Sequence, residues 1–249
     1  MIKIEKVSVY GLEEAIRGMR NPMNSWNYSD SYHNKEEYDS LNGQKYIGTN
    51  NVDYCVGYND NKLMTNLAAG GPVHAKYRRM ITVYLDITAP LYWWKEFDTY
   101  KVGTVANSCS TMHKIHAKEF TWEDFSVEHL TNFGMWGEQF TDADAVYAPA
   151  KTMGCIISAL NGARDRYLDL KSRGTQWEHQ AKQAWWQMIQ LLPSSYNQKR
   201  TIMLNYEVLV GIYRWRKEHK LDEWREFCQW IEQLPYSEII VGKKEVSNE

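Results

Sequence analysis

The chain has 249 residues and a formal charge of −2, from 29 Lys and Arg against 31 Asp and Glu. This balance excludes a nucleic-acid binder that works by bulk positive charge, so we expect no nucleic acid polymer as a partner. Mean hydropathy is −0.60 and no apolar run approaches the ~20 residues of a membrane helix, so we expect no membrane partner.

The N-terminal part predicts short mixed elements. Residues 2–10 alternate apolar and polar side chains, which predicts a strand, and Leu12–Arg20 predicts a short helix after Gly11. Residues 21–60 are rich in Asn, Ser, Asp, Gly and Tyr and predict a long loop region, of a length that is often functional. Asn61–Ala69 predicts the next helix.

The strongest strand signal is the β-branched and aromatic segment Met80–Thr88. Ala89-Pro90 then predicts the start of a helix, because proline suits a first helical position. Residues 102–109 predict irregular or extended chain. Thr121, followed by acidic residues, predicts a helix N-cap.

From about residue 126 the pattern becomes helical. One apolar face recurs at helical spacing through Ile156, Leu160, Ala163, Tyr167 and Leu170. Further helices are predicted at Trp177–Leu192, Asn197–His219 and Leu221–Gln233. Strands and mixed elements before about residue 126, followed by a block of helices, predict an α+β fold. The lack of a linker predicts one domain over residues 1–249.

The predicted helix 197–219 carries two polar residues on its apolar stripe. Asn205 and Arg216 are eleven residues apart, about three turns, and share a face with Leu209 and Ile212. Buried Asn and Arg need partners. Two interpretations stay open: protein groups satisfy both residues, or the stripe is a ligand groove in which Arg216 holds an anionic group.

Two other clusters could carry chemistry. Cys109, His113, His116 and Glu119 have helical spacing, but strong zinc motifs are tighter, so we expect an exposed polar face and predict no metal site. A basic cluster precedes the strong strand and consists of His74, Lys76, Arg78 and Arg79. It could be a phosphate clamp or a solvated loop end. Neither of the two Gly-rich phosphate-binding motifs, GxGxxG and the P-loop, occurs in the sequence.

Cysteine usage favours a reducing compartment. The four cysteines are scattered and form no CxxC pair, and the N-terminus lacks the pattern of a signal peptide. We therefore expect reduced thiols and a cytoplasmic protein.

The C-terminal half resembles the flavin-dependent thymidylate synthase family. The resemblance runs without a gap from about residue 192 to 216 and is carried by Leu192-Pro193, Asn205, Leu209, Arg216 and Trp224. The segment Ile81–Trp94 also looks like the family's strand and helix before its signature. The resemblance implies an α+β fold with an antiparallel sheet and a helical block in a single domain, and a homotetramer with sites at subunit junctions.

The signature segment, Thr99–Met112, is altered. The family pattern begins Arg-His-Arg and continues with Ser, Asn-Glu, Ser and Arg. One inserted residue aligns Lys101 with the second Arg, Thr104 with the first Ser, and matches Asn107 and Ser110. The remaining positions hold Thr99, Tyr100, Ser108 and Met112. Losing arginines removes bidentate phosphate contacts that Lys101 replaces in part.

The resemblance implies reductive methylation of dUMP to dTMP, with methylenetetrahydrofolate as carbon donor, FAD as cofactor and NADPH as reductant. Arg216 and Ser110 would serve catalysis and bind the nucleotide, together with Glu96 and Lys101. The residues toward the flavin would be Asn205, Lys101, Asn107, His74, Arg78 and Arg79.

Three functional hypotheses remain open from the sequence. The first is a flavin-dependent methylase of a pyrimidine nucleotide. The second is a relative that binds a nucleotide or flavin without making dTMP, or that modifies another pyrimidine nucleotide. The third is a structural oligomer on the same fold.

Overall fold

The computed structural model describes residues 2–33, 54–131 and 148–242. Part of the predicted loop region and part of the chain after residue 126, where we expect helices, lie outside the described residues.

Contacts within the chain define two compact units, which are described separately. The first comprises residues 88–96 and 108–199, and the second comprises residues 2–87, 97–107 and 200–249. The single domain stays a prediction.

The strands are β1 Lys3–Tyr10, β2 Tyr32–His33, β3 Tyr54–Cys55, β4 Thr82–Pro90, β5 Thr104–Ser108 and β6 Asn197–Asn205. Four of them form an antiparallel sheet in the order β1-β4-β6-β5, and β2 pairs with β3 antiparallel. The predicted strands at 2–10 and 80–88 are confirmed within two residues.

The helices are α1 Leu12–Arg20, α2 Tyr58–Ala69, α3 Leu91–Phe97, α4 Thr111–Lys114, α5 Pro149–Ser172, α6 Glu178–Leu191, α7 Tyr206–Arg216, α8 Asp222–Ile231 and α9 Glu238–Val241. None of those in the described ranges has both the length and the apolar composition that a membrane crossing requires. Helices and an antiparallel sheet confirm the predicted α+β class.

Gly11 makes the turn from β1 into α1. Its φ is +87°, in the left-handed region that favours glycine. A Cβ atom there would lie 2.1 Å from the carbonyl oxygen of Met80. The short predicted helix therefore begins where only glycine fits.

The predicted helix Asn197–His219 is wrong in its first half, because residues 197–205 form β6. Gln198, Ile202 and Leu204 are buried at even positions, as in a strand that buries one face. The helix begins only after Asn205, whose side-chain oxygen accepts a hydrogen bond from the backbone N–H of Val208 at 3.1 Å. The apolar stripe is present in α7, but the predicted helix began too early in the chain.

The helix predicted to start at Pro90 begins one residue later. Pro90 ends β4, and the backbone N–H groups of Leu91 and Tyr92 donate to the carbonyl oxygens of Tyr196 and Ser194, each at 3.0 Å. These bonds satisfy donors that a helix leaves unpaired at its start.

The helix predicted after Thr121 is a single 3-10 turn, Trp122–Asp124. Thr121 is its N-cap, as predicted, and forms a capping box with Asp124. The chain then returns to extended conformation, because Phe125 forms an antiparallel bridge with Tyr196.

The predicted apolar face of α5 is confirmed. Leu160 is fully buried, and Ile156, Ala163 and Tyr167 pack against the same core. That core belongs to the first unit and also contains Phe120, Phe125 and Met188 from the flanking segments.

Candidate functional site

The N-terminal end of α7 contacts the signature segment through Asn205. Gly103 has a φ of +77°, and a Cβ atom there would lie 2.9 Å from Nδ2 of Asn205 and 3.2 Å from Cγ2 of Val208. The signature therefore passes so close to α7 that only glycine fits. Asn205 is half-buried and its oxygen is already used as the helix cap.

The C-terminal end of α7 contacts the same segment through Arg216. Its Nε donates to the hydroxyl oxygen of Tyr100 at 2.9 Å, and its Nη1 lies 2.9 Å from Nε2 of His219. The guanidinium carbon lies 4.7 Å from the ring centre of Trp224 and 5.7 Å from that of Tyr100. Such cation–π contacts stabilise a partly desolvated arginine.

The structure thus brings the two predicted ends of the groove to one short stretch of the signature, residues 100–103. Both Asn205 and Arg216 have protein partners, as one of the two interpretations expected. Tyr100 was noted only as a replacement for the family's His. Its contact with Arg216 depends on a separation of 116 residues, which no local pattern reveals.

The remaining signature residues of this unit lie on or before the exposed strand β5. Lys101 and Asn107 are exposed, and Thr104 is half-buried. The Oγ1 atom of Thr104 is buried and has no hydrogen-bond partner in the described part of the chain.

Ser110 and Glu96 belong to the first unit. Ser110 is the N-cap of α4, where its Oγ accepts a hydrogen bond from the backbone N–H of His113 at 3.1 Å. Glu96 is half-buried on α3. Their predicted contact with a nucleotide stays a prediction.

The basic cluster is divided between interior and surface. Lys76–Arg79 forms a 3-10 turn in which Tyr77 and Arg78 are buried, whereas His74, Lys76 and Arg79 are exposed. The hydroxyl of Tyr77 donates to the carbonyl oxygen of Met64 at 2.7 Å, and burial raises the pKa of Tyr77 to about 12. This turn is therefore anchored on α2.

Arg78 has an acidic neighbour that sequence reasoning missed. Its Nη1 lies 3.7 Å from Oε2 of Glu207, in the first turn of α7. The sequence does show an acidic residue two positions after Asn205, but nothing in the sequence indicated that it would lie beside Arg78. A paired Arg78 offers less charge to a phosphate than the isolated arginine of a clamp.

The segment 109–119 does not form the continuous helix that its spacing suggested, since only Thr111–Lys114 is helical. His116 packs on Tyr167 with 4.8 Å between ring centres. Burial lowers the pKa of His116, and the nearby Lys171, Lys114 and Arg164 lower it further. No group of three or more potential metal ligands comes together in residues 2–33, 54–131 and 148–242.

Comparison with known proteins gives a match at the level of the fold. No protein-family model matches the chain, and no curated protein matches it. A crystal structure of thymidylate synthase X from Helicobacter pylori, with FAD and dUMP, is 16% identical, with a TM-score of 0.57 over 97% of each chain. The chain has the fold of the flavin-dependent thymidylate synthases.

Other solved structures accompany this match. A second crystal structure of the flavin-dependent thymidylate synthase ThyX from Helicobacter pylori, complexed with FAD and dUMP, is 14% identical, with a TM-score of 0.57 over 96% of this chain and 97% of that one. The UMP/dUMP methylase PolB from Streptomyces cacaoi, bound with 5-Br dUMP, is 12% identical, with a TM-score of 0.49 over 94% and 89% of the two chains.

The residues present can be tested against a flavin or a pyrimidine nucleotide. Three buried polar atoms in the second unit, Oγ1 of Thr104, Nε of Arg78 and Oε2 of Glu207, have no hydrogen-bond partner among the described residues. Their accessible surface is close to zero, so a ligand would reach them only after their side chains moved. Lys76, Arg79 and Lys101 are exposed cations that a phosphate could reach. Exposed cations therefore fit a phosphate better than the buried Arg78, which lies beside Glu207.

Proposed function

We propose that the protein is a flavin-dependent enzyme that methylates dUMP to dTMP. Methylenetetrahydrofolate would supply the carbon and NADPH the reducing equivalents. The observation that carries the proposal is a shared fold over 97% of this chain and 97% of a thymidylate synthase crystallised with FAD and dUMP. We further propose a homotetramer in the cytoplasm.

When bound, FAD would supply the hydride, so the protein needs mainly to bind and orient its ligands. In this proposal Asn205, Asn107 and Lys101 face the flavin, and Arg216 and Ser110 face the nucleotide. Glu96 would contact the nucleotide, and the exposed His74 and Arg79 would add positive charge near the flavin. Arg78 would contribute through its pair with Glu207 and less through phosphate binding.

Tyr100 would be a positioning residue for Arg216. Its hydroxyl accepts the Nε–H of Arg216 and its ring lies beside the guanidinium, so both contacts limit where Arg216 can point. Tyr100→Phe removes the hydroxyl and keeps the ring. A guanidinium freed from one bond would be less ordered, which lowers nucleotide affinity.

The variants Tyr100→Phe and Arg216→Lys test this arrangement in a dUMP titration. We expect Tyr100→Phe to weaken dUMP binding about five- to tenfold, from the loss of one hydrogen bond of about 1 kcal/mol. Arg216→Lys should weaken it more, because lysine cannot reproduce the planar fork. Arg173→Ala, at the exposed residue directly after α5, is the control and should bind normally. Unchanged affinity in Arg216→Lys would remove Arg216 from the nucleotide site.

Activity is tested by tritium release from labelled dUMP at the carbon that is methylated. Purified protein should be yellow, and should release tritium when methylenetetrahydrofolate and NADPH are present. Rescue of a thymidine-requiring bacterium is the matching test in cells. Light scattering should show four chains per particle.

A second candidate function has its own supporting observation. Arg216 is engaged by Tyr100, His219 and Trp224 within the chain, which favours a relative that binds a nucleotide or flavin without making dTMP, or that acts on another pyrimidine nucleotide. Yellow protein without tritium release from dUMP would support this candidate. Colourless protein that takes up no FAD would exclude the flavin-dependent methylase.

A further inference from the structure

A cavity of about 640 Å³ lies in the first unit, between the C-terminal end of α5 and the N-terminal half of α6. Tyr167 and Lys171, about one helical turn apart, line it from α5. Glu178, Lys182 and Trp185 line it from α6. None of these residues is assigned to the flavin or the nucleotide. The volume lies within the range of about 300–1,000 Å³ that is usual for ligand pockets.

The lining of this cavity carries an excess of positive charge. Lys171 and Lys182 are exposed, and neither has a carboxylate partner among the residues that the structure describes. Glu178 is the single acid in the described lining, so two lysines against one glutamate leave a formal charge of +1. The field also reaches His116 on Tyr167: burial lowers the pKa of this imidazole, and three neighbouring cations, one of them Lys171, lower it further. An anionic group is therefore attracted to this place.

Two aromatic rings are held in place on the walls. Tyr167 and Trp185 are half-buried, and each packs against the core of the first unit while also lining the cavity. The ring centre of Tyr167 lies 4.8 Å from that of His116. Nε1 of Trp185 donates to the carbonyl oxygen of Met112 at 3.2 Å, and its ring centre lies 4.9 Å from that of Trp186. Rings fixed in this way offer an aromatic surface to a ligand with little further loss of side-chain entropy.

Charge and rings together select one class of ligand. A bare anion would leave the rings uncovered, and an uncharged ring would leave both ammonium groups unused. An aromatic ring that carries an anionic group engages both features. Nζ of Lys171 donates to the hydroxyl oxygen of Tyr167 at 3.2 Å, so one ammonium group is already held beside a ring. Because a lysine ammonium is a compact point charge and not a planar fork, it suits a carboxylate or a phosphate.

We propose that this cavity binds a small aromatic acid, whose anionic group contacts Lys171 and Lys182 and whose ring lies against Tyr167 and Trp185. The site is separate from the residues of the proposed reaction. Its existence therefore does not depend on whether the protein makes dTMP.

Probes that differ in one feature test the class of ligand. The full-length protein is titrated by calorimetry with 2-naphthoate and 2-naphthyl phosphate, with the uncharged 2-naphthamide and with the non-aromatic cyclohexanecarboxylate. We expect at least one naphthyl anion to bind, and the last two compounds to bind about tenfold more weakly, because each lacks one of the two features. The tighter of the two naphthyl anions identifies the anionic group as carboxylate or phosphate.

Matched variants test the place. Lys171→Met and Lys182→Met remove the charges and keep most of each apolar stem. Each should weaken binding of the naphthyl anion about three- to fivefold, and both together about tenfold. Glu178→Gln removes a repelling carboxylate and should tighten binding about two- to fivefold. Lys151→Met, at an exposed lysine of α5 outside the cavity, is the control and should bind normally.

Thermal unfolding without probe checks that the variants fold, and we expect all four to unfold like the wild type because they change exposed side chains. Arg216→Lys, in the proposed nucleotide site, should bind the naphthyl anion normally.

Equal binding of the naphthyl anion and 2-naphthamide would overturn the proposal, as would no binding of either naphthyl anion. Normal binding by the double variant Lys171→Met/Lys182→Met, an equal loss in Lys151→Met, or weaker binding by Glu178→Gln would also overturn it. Loss of binding in Arg216→Lys would place the probe in the other site, with the same consequence. These readouts are independent of turnover and of FAD.

Discussion

Among single residues outside the candidate site, Asp60 accepts hydrogen bonds from several parts of the chain. It is fully buried, and Nε of Arg20 donates to its Oδ1 at 2.6 Å. Its Oδ2 accepts from the hydroxyls of Ser29 and Ser31 at 2.7 and 2.6 Å. Burial raises the pKa of Asp60, but the hydrogen bonds from Ser31, Ser29 and Arg20 outweigh it and hold the pKa below 3.8. The ionised carboxylate therefore ties the segment after α1 to α2.

Replacing this carboxylate should strongly destabilise the protein. Asp60→Asn leaves the Arg20 guanidinium buried without its counter-ion, and we expect a loss of about 3–5 kcal/mol in the free energy of unfolding, measured with urea at neutral pH. Because the folded-state pKa is depressed, the stabilisation is complete above 3.8 and is lost as the pH falls through the folded value. The difference between wild type and variant should narrow at low pH.

Asp165→Asn is the control for this prediction. Asp165 accepts a hydrogen bond from Nη1 of Arg164 at 2.8 Å but is 70% exposed. Exposed pairs contribute about 0–1 kcal/mol, so this variant should unfold almost like the wild type. Equal losses in the two variants would contradict the role assigned to burial.

At the scale of elements, the junction of β6 and α7 is where the candidate site is built. Asn205 ends the strand, caps the helix and contacts Gly103. A strand that leads directly into a helix places one side chain against both the helix start and the signature. Asn205 therefore contacts the signature from the end of β6, although the sequence pattern predicted that it would lie within a helix.

Asn205 can be tested for its structural and ligand-binding roles separately. Asn205→Ala should lower the free energy of unfolding by about 1 kcal/mol, because the N–H of Val208 loses its cap. Asn205→Asp keeps an acceptor at the helix N-terminus and should be nearly as stable as the wild type. FAD affinity is measured on both variants. Reduced affinity in the stable Asp variant would indicate a contact with the flavin, and normal affinity would leave capping as its role.

At the scale of the whole molecule, the chain has 11 Trp and 17 Tyr against only 6 Phe, and many of these rings lie in the cores. Trp93 and Trp94 are fully buried in one unit, and Phe97, Trp224 and Phe227 form a contacting group in the other. Rings with a polar edge also make hydrogen bonds from the interior, such as the one from Nε1 of Trp94 to the carbonyl oxygen of Gln198 at 2.8 Å. Much of the Trp and Tyr content therefore serves cores that bury rings, and Trp94 shows how a polar ring edge can be satisfied there.

The cysteines report on the integrity of this packing. Cys228 is buried, and burial raises its pKa to about 12, with a further rise from Glu232 that Arg216 opposes. Cys109 and Cys155 are exposed. Since the thiolate is the reactive form, a thiol reagent at neutral pH should label Cys109 and Cys155 in the native protein, and Cys228 only after unfolding.

Mass spectrometry of peptides along a urea series measures this labelling site by site. Labelling of Cys228 should rise with the global unfolding transition. A Cys228→Ala variant provides the blank for its peptide. Rapid labelling of Cys228 without denaturant would contradict the burial assigned to α8.

Elements with a strong local pattern were predictable. The alternation of residues 2–10, the β-branched segment before Pro90 and the stripe on α5 each bury one face, and each pattern alone identified its element. The division of 197–219 was not predictable in this way. A short amphipathic strand followed by a helix has a mixed period, and the hydrogen bonds that separate them come from distant parts of the chain.

The sequence by itself determined the α+β class, the main strands and helices, and the resemblance that led to the proposed reaction, because these depend on patterns within a few residues. Only the tertiary structure decided which side chains meet. It paired Arg216 with Tyr100, packed Gly103 against Asn205 and set Glu207 beside Arg78. Each pair joins residues about a hundred or more positions apart, and burial, which fixes their charge and hydrogen bonding, exists only once the chain is packed.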